Sequence, residues 1–331
     1  MRKTAIIGDG GWGTTLALHL YKKGYKVNLW SAFGVYAARL NKIRENLKFL
    51  PGIKIPKGIL ITSDIEAAVG DADLIILAVP SCYMRGVLEK MKSSCFRDKI
   101  VLSVSKGIEE KTHLRMSELV REVLGQVKMA VLSGPTIAHE VARGLPATCV
   151  IASRCEETAK ALQKIFIDER LRVYTNLDVV GVELGGSLKN IIALAAGISD
   201  GLGFGVNAKA AIVTRGLVEM ARLGMAMGAK KETFSGLTGL GDLVTTCMSP
   251  YSRNRQVGEK IGKGKKLNDI IDKMHMVAEG VKTAKSVYNL SKNYSVELPI
   301  TTEIYRVLYK NKDPLRAVND LMKREGKREH I

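Results

Sequence analysis

The side chains of this chain best suited to moving a proton and gripping an anion sit in four short motifs. Lys106 stands in Ser105-Lys106-Gly107-Ile108-Glu109, and Lys189 in Gly185-Gly186-Ser187-Leu188-Lys189-Asn190. Asp242 stands in Gly241-Asp242-Leu243-Val244-Thr245-Thr246, and Arg253 in Ser252-Arg253-Asn254-Arg255. A lysine set between Gly-Gly and Ile-Ile-Ala-Leu either snorkels at a helix edge or is a desolvated base with a lowered pKa. Spacing alone leaves both readings open. Asp242 and Thr246, four apart, share a face if their stretch is helical. Arg253 offers the planar fork that suits a phosphate, although an Asp and an Arg also serve in surface ion pairs.

A second pattern concerns a cofactor. Gly8-Asp9-Gly10-Gly11-Trp12-Gly13 fits G-x-G-x-x-G between an apolar run at Thr4–Ile7 and a helical stretch at Thr14–Lys23. Gly8 permits the tight turn, Gly10 lets the backbone approach a pyrophosphate, and Gly13 lets helix and strand pack closely. The helix N-terminus then offers free N–H groups to the phosphates. This points to NAD or NADP. The second strand ends Trp30-Ser31-Ala32-Phe33, without the Asp or Glu that usually accepts from the ribose 2′-OH of NAD. No Arg stands there either, and Arg39 or a following lysine is the available cation. The missing carboxylate tilts the reading to NADP.

These motifs need a scaffold, and the first half supplies alternating strands and helices. Near-continuous apolar runs predict strands at Thr4–Ile7, Lys26–Trp30, Leu74–Val79, Ile100–Val104, Met129–Leu132, Ala147–Ala152 and Leu171–Tyr174. Runs of that kind suit strands covered on both faces. Helical stretches such as Thr112–Leu124 lie between them, so a largely parallel, doubly wound sheet is expected. Lys106 and Ser133-Gly134-Pro135-Thr136 each follow a strand, at the carboxyl edge where such folds bind ligands. After about Thr175 the pattern turns helical, through Val182–Ile198, Ala208–Met227, Tyr288–Ser291 and Glu303–Tyr309. The fold class is therefore α/β, with an N-terminal doubly wound Rossmann-type domain over 1–180 and a C-terminal all-α domain over 181–331. Gly185 is read as opening the apolar helix that carries Lys189.

Composition narrows the classes. The chain has 331 residues, 46% hydrophobic and 25% charged, enough for a sizeable core in two domains. Glycines interrupt the N-terminal apolar stretch too early for a secretory signal, and runs such as Ile191–Ile198 are far short of the ~20 residues of a spanning helix. A soluble protein is expected. The five cysteines are odd in number and spaced for neither disulfides nor zinc, so a cytoplasmic location and no metal are expected. The five histidines are scattered and carry no assigned role. A net charge of +18 fits first a lysine-rich solvated surface, then an anionic small ligand, and last a nucleic acid. Aromatics at 5% are too sparse for base stacking, so no nucleic-acid partner is expected.

Taken in order, these motifs resemble the bacterial-type NAD(P)-dependent glycerol-3-phosphate dehydrogenase family over nearly the whole chain. The resemblance also rests on Asn46-Leu47-Lys48-Phe49-Leu50-Pro51-Gly52, Ser199-Asp200-Gly201-Leu202-Gly203-Phe204-Gly205, Gly239-Leu240-Gly241-Asp242-Leu243 and Glu297-Leu298-Pro299-Ile300. It implies hydride transfer between sn-glycerol 3-phosphate and dihydroxyacetone phosphate, supplying glycerol 3-phosphate for phospholipid synthesis. It implies cofactor contacts by Gly11, Trp12, Lys106, Ala138, Arg253, Val277 and Glu279. Substrate contacts are implied for Lys106, Gly134, Thr136, Lys189, Asp242, Ser252, Arg253 and Asn254. Lys189 looks like the proton acceptor, held by Asp242 and brought toward neutrality by burial and by Lys106. A helix beginning near Leu184 is expected to add its dipole. In this family a basic or polar side chain often follows the second strand, where this chain has Ala32 and Phe33. A homodimer is expected, with Ala208–Met227 as a possible face. A related dehydrogenase of the 2-hydroxyacid or 6-phosphogluconate type is the nearest alternative, and a non-catalytic cofactor sensor or nucleic-acid binder a second.

Overall fold

The computed structural model describes residues 3–94, 96–274, 277–326, 328 and 329; Cys95, His275 and His330 lie outside them. The first half forms an eight-stranded sheet and a two-stranded hairpin. The strands are β1 (Lys3–Ile7), β2 (Lys26–Trp30), β3 (Glu45–Asn46), β4 (Leu50–Lys54), β5 (Leu60–Thr62), β6 (Leu74–Leu77), β7 (Ile100–Ser103), β8 (Lys128–Ser133), β9 (Ala147–Ala152) and β10 (Leu171–Asn176). The sheet order is β10-β9-β8-β7-β6-β1-β2-β5, and β3 pairs with β4 apart from it. All neighbours in the sheet run parallel except β8 and β9. Every residue of β6 and β7 is buried, as helices on both faces require.

The seven expected strands are all present, as β1, β2 and β6 to β10. Three others were not expected. β5 is a three-residue piece with one buried side chain, too short to show a period, and β3–β4 is a hairpin carrying Pro51 and Gly52. The helix expected from Thr112 begins at Met116, because His113 sits at φ 62° and Glu118 reaches back to the Arg115 amide at 3.0 Å.

Among the described residues no strand follows Asn176. The trunk of the second half is the helix Val179–Gly201, buried along almost all of its length. Its length and mean hydropathy of 1.4 would let it cross a membrane, yet 94% of that window is buried inside the protein. Helices Val206–Ala226, Asp242–Met248, Arg253–Gly262, Glu279–Asn293 and Pro299–Tyr309 surround it. The expected Ala208–Met227 matches the first of these closely, whereas Tyr288–Ser291 and Glu303–Tyr309 are only parts of the last two.

The trunk starts earlier than expected. Asp178 caps it, its carboxylate accepting from the Gly181 amide at 2.8 Å, so Gly185 and Gly186 lie inside the helix. Those glycines serve packing instead. A Cβ at Gly185 would stand 2.7 Å from the Thr238 carbonyl oxygen, and one at Gly186 would stand 2.5 Å from Ser133 Oγ. The trunk's first turns also pack on the sheet, where Val179 and Val182 join the cluster of Val131, Val150 and Ala152. Buried Glu183 receives the Ser117 amide at 2.7 Å and Arg115 Nη1 at 2.5 Å, tying the two halves together.

Candidate active site

The glycine turn lies at the carboxyl end of β1, where the chain reverses direction between β1–β2 and β6–β7. That reversal is the place where doubly wound sheets open a crevice. Gly8 holds φ at +118°, and a Cβ there would press on the Ala78 carbonyl oxygen at 2.8 Å. At Gly13 a Cβ would meet the Gly8 carbonyl oxygen at 1.9 Å, so the helix Gly11–Lys22 can start there only on glycine. Above Gly10 nothing lies within 4 Å, which leaves the room a pyrophosphate needs. The helix has no acidic residue in its first turn, and Trp12 Nε1 is a buried donor without a partner among the described residues. These features fit a dinucleotide. Ala138 flanks the turn, 3.7 Å from where a Gly11 Cβ would be, and its carbonyl accepts from Thr15 Oγ1 at 3.1 Å.

Three neighbouring strand ends lead away from this turn: β6 to Ser81, β7 to Lys106 and β8 to Gly134. There the first half meets the second in a buried cluster. Lys106 Nζ donates to Asp242 Oδ2 at 2.7 Å and to the Gly134 carbonyl at 2.8 Å. Lys189 Nζ donates to the other oxygen, Asp242 Oδ1, and to Thr246 Oγ1 at 2.7 Å. One carboxylate thus serves two ammonium groups, and the cluster keeps an excess positive charge suited to an anionic ligand. The side chains of Lys189 and Asp242 are 7% and 2% exposed, against 18% for Lys106, which leaves the snorkelling alternative for Lys189 without support. Burial lowers the Lys189 pKa to about 7; Lys106 pushes the same way, and Asp242 opposes both.

The local chain explains these placements. Asp242 begins the helix Asp242–Met248 just after a π-helical turn at Leu237–Gly241. One helical turn on, Thr246 Oγ1 donates to the Asp242 carbonyl at 2.6 Å. Gly134, at φ +130°, lies so close to Cys149 that a Cβ would stand 3.0 Å from its Cα. Thr136 Oγ1 donates to the Gly134 carbonyl at 3.1 Å. The helix dipole assigned to Lys189 does not act as expected: the helix begins at Val179 under an Asp178 cap, and Lys189 lies well inside it.

The remaining motif residues converge at the start of the helix Arg253–Gly262. Asn254 is locked by its neighbours, donating to Asn190 Oδ1 at 2.9 Å and accepting from the Gly280 amide at 2.9 Å. Asn190 in turn donates to the Lys106 carbonyl at 3.1 Å, joining this corner to the lysine cluster. Ser252 caps the helix, accepting from the Arg255 amide at 3.3 Å. Arg253 Nη1 donates to the Val277 carbonyl at 2.9 Å, within the field of Glu279. The carboxylate of Glu279 accepts from the Ser81 amide at 2.8 Å and from the Ser81 hydroxyl, pinning the second half to the end of β6. Ser81, Asn190 and Thr246 were given no role from the sequence. For Ser81 no local motif marks it, whereas Asn190 and Thr246 stood in quoted motifs and only their partners were missing.

Comparison with known proteins bears on this arrangement. The family described as NAD-dependent glycerol-3-phosphate dehydrogenase matches in two parts, its N-terminus over residues 3–159 and its C-terminus over residues 178–319. A relative from Prosthecochloris aestuarii, named as an NAD(P)-linked glycerol-3-phosphate dehydrogenase, is 50% identical over 98% of both chains. One of the same name from Chlorobium phaeobacteroides is 49% identical over 99% of both. The crystal structure of the glycerol-3-phosphate dehydrogenase of Coxiella burnetii superposes with a TM-score of 0.95 at 40% identity, covering 98% of this chain and 99% of that one.

Proposed function

The chain belongs to the NAD-dependent glycerol-3-phosphate dehydrogenase family, and from that premise we infer that it interconverts sn-glycerol 3-phosphate and dihydroxyacetone phosphate with Lys189 as its proton carrier. A dinucleotide held at the glycine turn would supply the hydride acceptor or donor for carbon 2. The protein's task is to orient carbon 2 and to manage the proton on its oxygen.

Lys189, as the free amine, takes the proton from the 2-hydroxyl during oxidation and, as the ammonium, returns it during reduction. Asp242 holds the amine through Oδ1, and Thr246 fixes it from the other side. Lys106, anchored on Oδ2 and on Gly134, polarises the carbonyl oxygen and touches both cofactor and substrate. Gly134 and Thr136 line the substrate, and Arg253 with Ser252 and Asn254 receives its phosphate. Gly8, Gly10, Gly11, Trp12, Gly13 and Ala138 receive the dinucleotide at one end, with Val277 and Glu279 closing the other. Residues 1–180 bring the glycine turn and 181–331 bring Lys189, Asp242 and Arg253, and both halves touch each ligand, so the reaction occurs at their seam.

The observation that carries this reading is a buried amine held by a carboxylate that also holds a second ammonium, with a pKa of about 7. The test is consumption of NADH and NADPH with dihydroxyacetone phosphate, set beside a panel of 2-oxoacids. Turnover on dihydroxyacetone phosphate, reduced roughly 10²–10⁴-fold in Lys189→Ala with the fold intact, is expected. Near-normal turnover in that variant removes Lys189 from the mechanism. The family also supports a cytoplasmic enzyme that feeds phospholipid synthesis. A homodimer is supported by the exposed Val206 and Met225 of the helix Val206–Ala226.

A further inference from the structure

Sites that take NAD in this fold class usually present a carboxylate at the end of the second strand, facing the adenosine ribose. β2 ends in Trp30 and is followed by Ser31, Ala32 and Phe33, so the strand itself supplies none. The fold brings one from elsewhere. Gly8 donates its amide to the Trp30 carbonyl at 3.1 Å, which lays the glycine turn across the end of β2. The next residue is Asp9, whose carboxylate burial pushes above its usual pKa while neighbouring Ser31 draws it back down. Asp9 Oδ2 is buried and has no hydrogen-bond partner among the described residues.

That carboxylate sits on a fixed backbone. The Asp9 carbonyl accepts from Asn46 Nδ2 at 2.7 Å and from Thr14 Oγ1 at 3.3 Å. Asn46 also donates to Thr14 Oγ1 at 2.8 Å and accepts from the Tyr36 hydroxyl at 2.7 Å. A buried acceptor oxygen without a donor is rare in folded proteins and marks a place where a donor is missing. The ribose of NAD brings hydroxyl donors to this part of the crevice. The 2′-phosphate of NADP brings negative charge instead. Nearby, Phe33 is 72% exposed, an apolar surface where a phosphate would need a cation. Lys48 acts on Asp9 at longer range, and its ammonium lies over the Phe49 ring at 5.1 Å from the centroid.

We propose that Asp9 sets cofactor choice, its carboxylate accepting from the ribose hydroxyls of NAD and repelling the 2′-phosphate of NADP. The proposal rests on the dinucleotide reading of the glycine turn given above. It replaces the tilt toward NADP, which weighed the residues after β2 and left out the carboxylate that the turn delivers beside them.

Dissociation constants for NADH and NADPH, from nicotinamide fluorescence on the intact protein, test it without catalysis. The wild type is expected to bind NADH about ten-fold or more tightly than NADPH, the scale of one charge-assisted hydrogen bond. Asp9→Asn and Asp9→Ser are expected to shrink that ratio about ten-fold, chiefly by improving NADPH. Competition by AMP against adenosine 2′,5′-bisphosphate in the wild type reads the same preference should either variant fold poorly, and AMP is expected to win. Equal affinities, a preference for NADPH or the bisphosphate, or an unchanged ratio in a folded variant overturns the proposal. A wild type that binds neither cofactor overturns the glycine-turn reading itself, a different result from one that binds both equally.

Discussion

At the residue scale, the site works by placing two ammonium groups on one carboxylate in a buried setting. Asp242 is nearly inaccessible, so its attraction for Lys106 and Lys189 is only weakly screened by water. Asp242→Asn should leave the lysines facing each other across a neutral amide and drive the Lys189 pKa further down. Reduction of dihydroxyacetone phosphate at neutral pH should then fall at least ~10²-fold, with the midpoint of its pH profile moved to lower pH. An unmoved midpoint would deny Asp242 its hold on Lys189. Arg253→Ala should raise the KM for dihydroxyacetone phosphate by about 1.5–3 kcal/mol in binding, the scale of a hydrogen bond to a charged group. An unchanged KM would take the phosphate away from Arg253. In the sequence, Lys189 could be singled out but not assigned a state. Its pKa depends on what covers it, and Asp242 and Lys106 arrive from distant parts of the chain. Asp9 was passed over for a similar reason, since its nearness to Ser31 exists only once the turn has folded onto β2.

At the element scale, strands were easier to read than helix ends. The sheet's inner strands are continuous apolar runs buried on both faces, a pattern few other elements produce. β5 escaped because a three-residue edge strand carries no period. The start of the trunk helix was misplaced because Gly181, Gly185 and Gly186 argue against a helix by propensity, while close contacts with Asp178, Thr238 and Ser133 respectively demand them. Asp178 was the available signal, a side-chain cap just ahead of the apolar stretch. The same trade of propensity for close approach occurs where the trunk crosses the helix Arg253–Gly262. A Cβ at Gly258 would stand 2.1 Å from the Leu194 carbonyl oxygen. Gly258→Ala should therefore destabilise the protein by about 1–3 kcal/mol in denaturant unfolding, as overpacking does. It should also lower turnover, because the same helix begins with Arg253 and Asn254. Wild-type stability in that variant would mean that the crossing yields more readily than its backbone contact indicates.

At the scale of the whole molecule, the two halves are joined by polar bridges that also bound the site: Glu183 with Arg115 and Ser117, and Glu279 with Ser81. The two-part organisation was legible from the change of period near Thr175, but these bridges were not, since each spans a long stretch of sequence. Function has a cost in stability here. Lys189 has a folded pKa of about 7 against 10.5 when unperturbed, so between those values the unfolded chain binds a proton that the folded protein does not. Stability from this group is therefore full above 10.5 and is lost as pH falls to about 7. Lys189→Met should flatten that slope in denaturant titrations across the window and melt no lower than the wild type at neutral pH. An unchanged slope would mean that the amine keeps its ordinary pKa in the fold. The most direct test of the account is the pH dependence of single-turnover rates in both directions with saturating cofactor. Oxidation of glycerol 3-phosphate should rise, and reduction of dihydroxyacetone phosphate should fall, through a shared inflection near 7 that vanishes in Lys189→Ala. Rates that run flat through neutrality, or an inflection that survives in the variant, would contradict it.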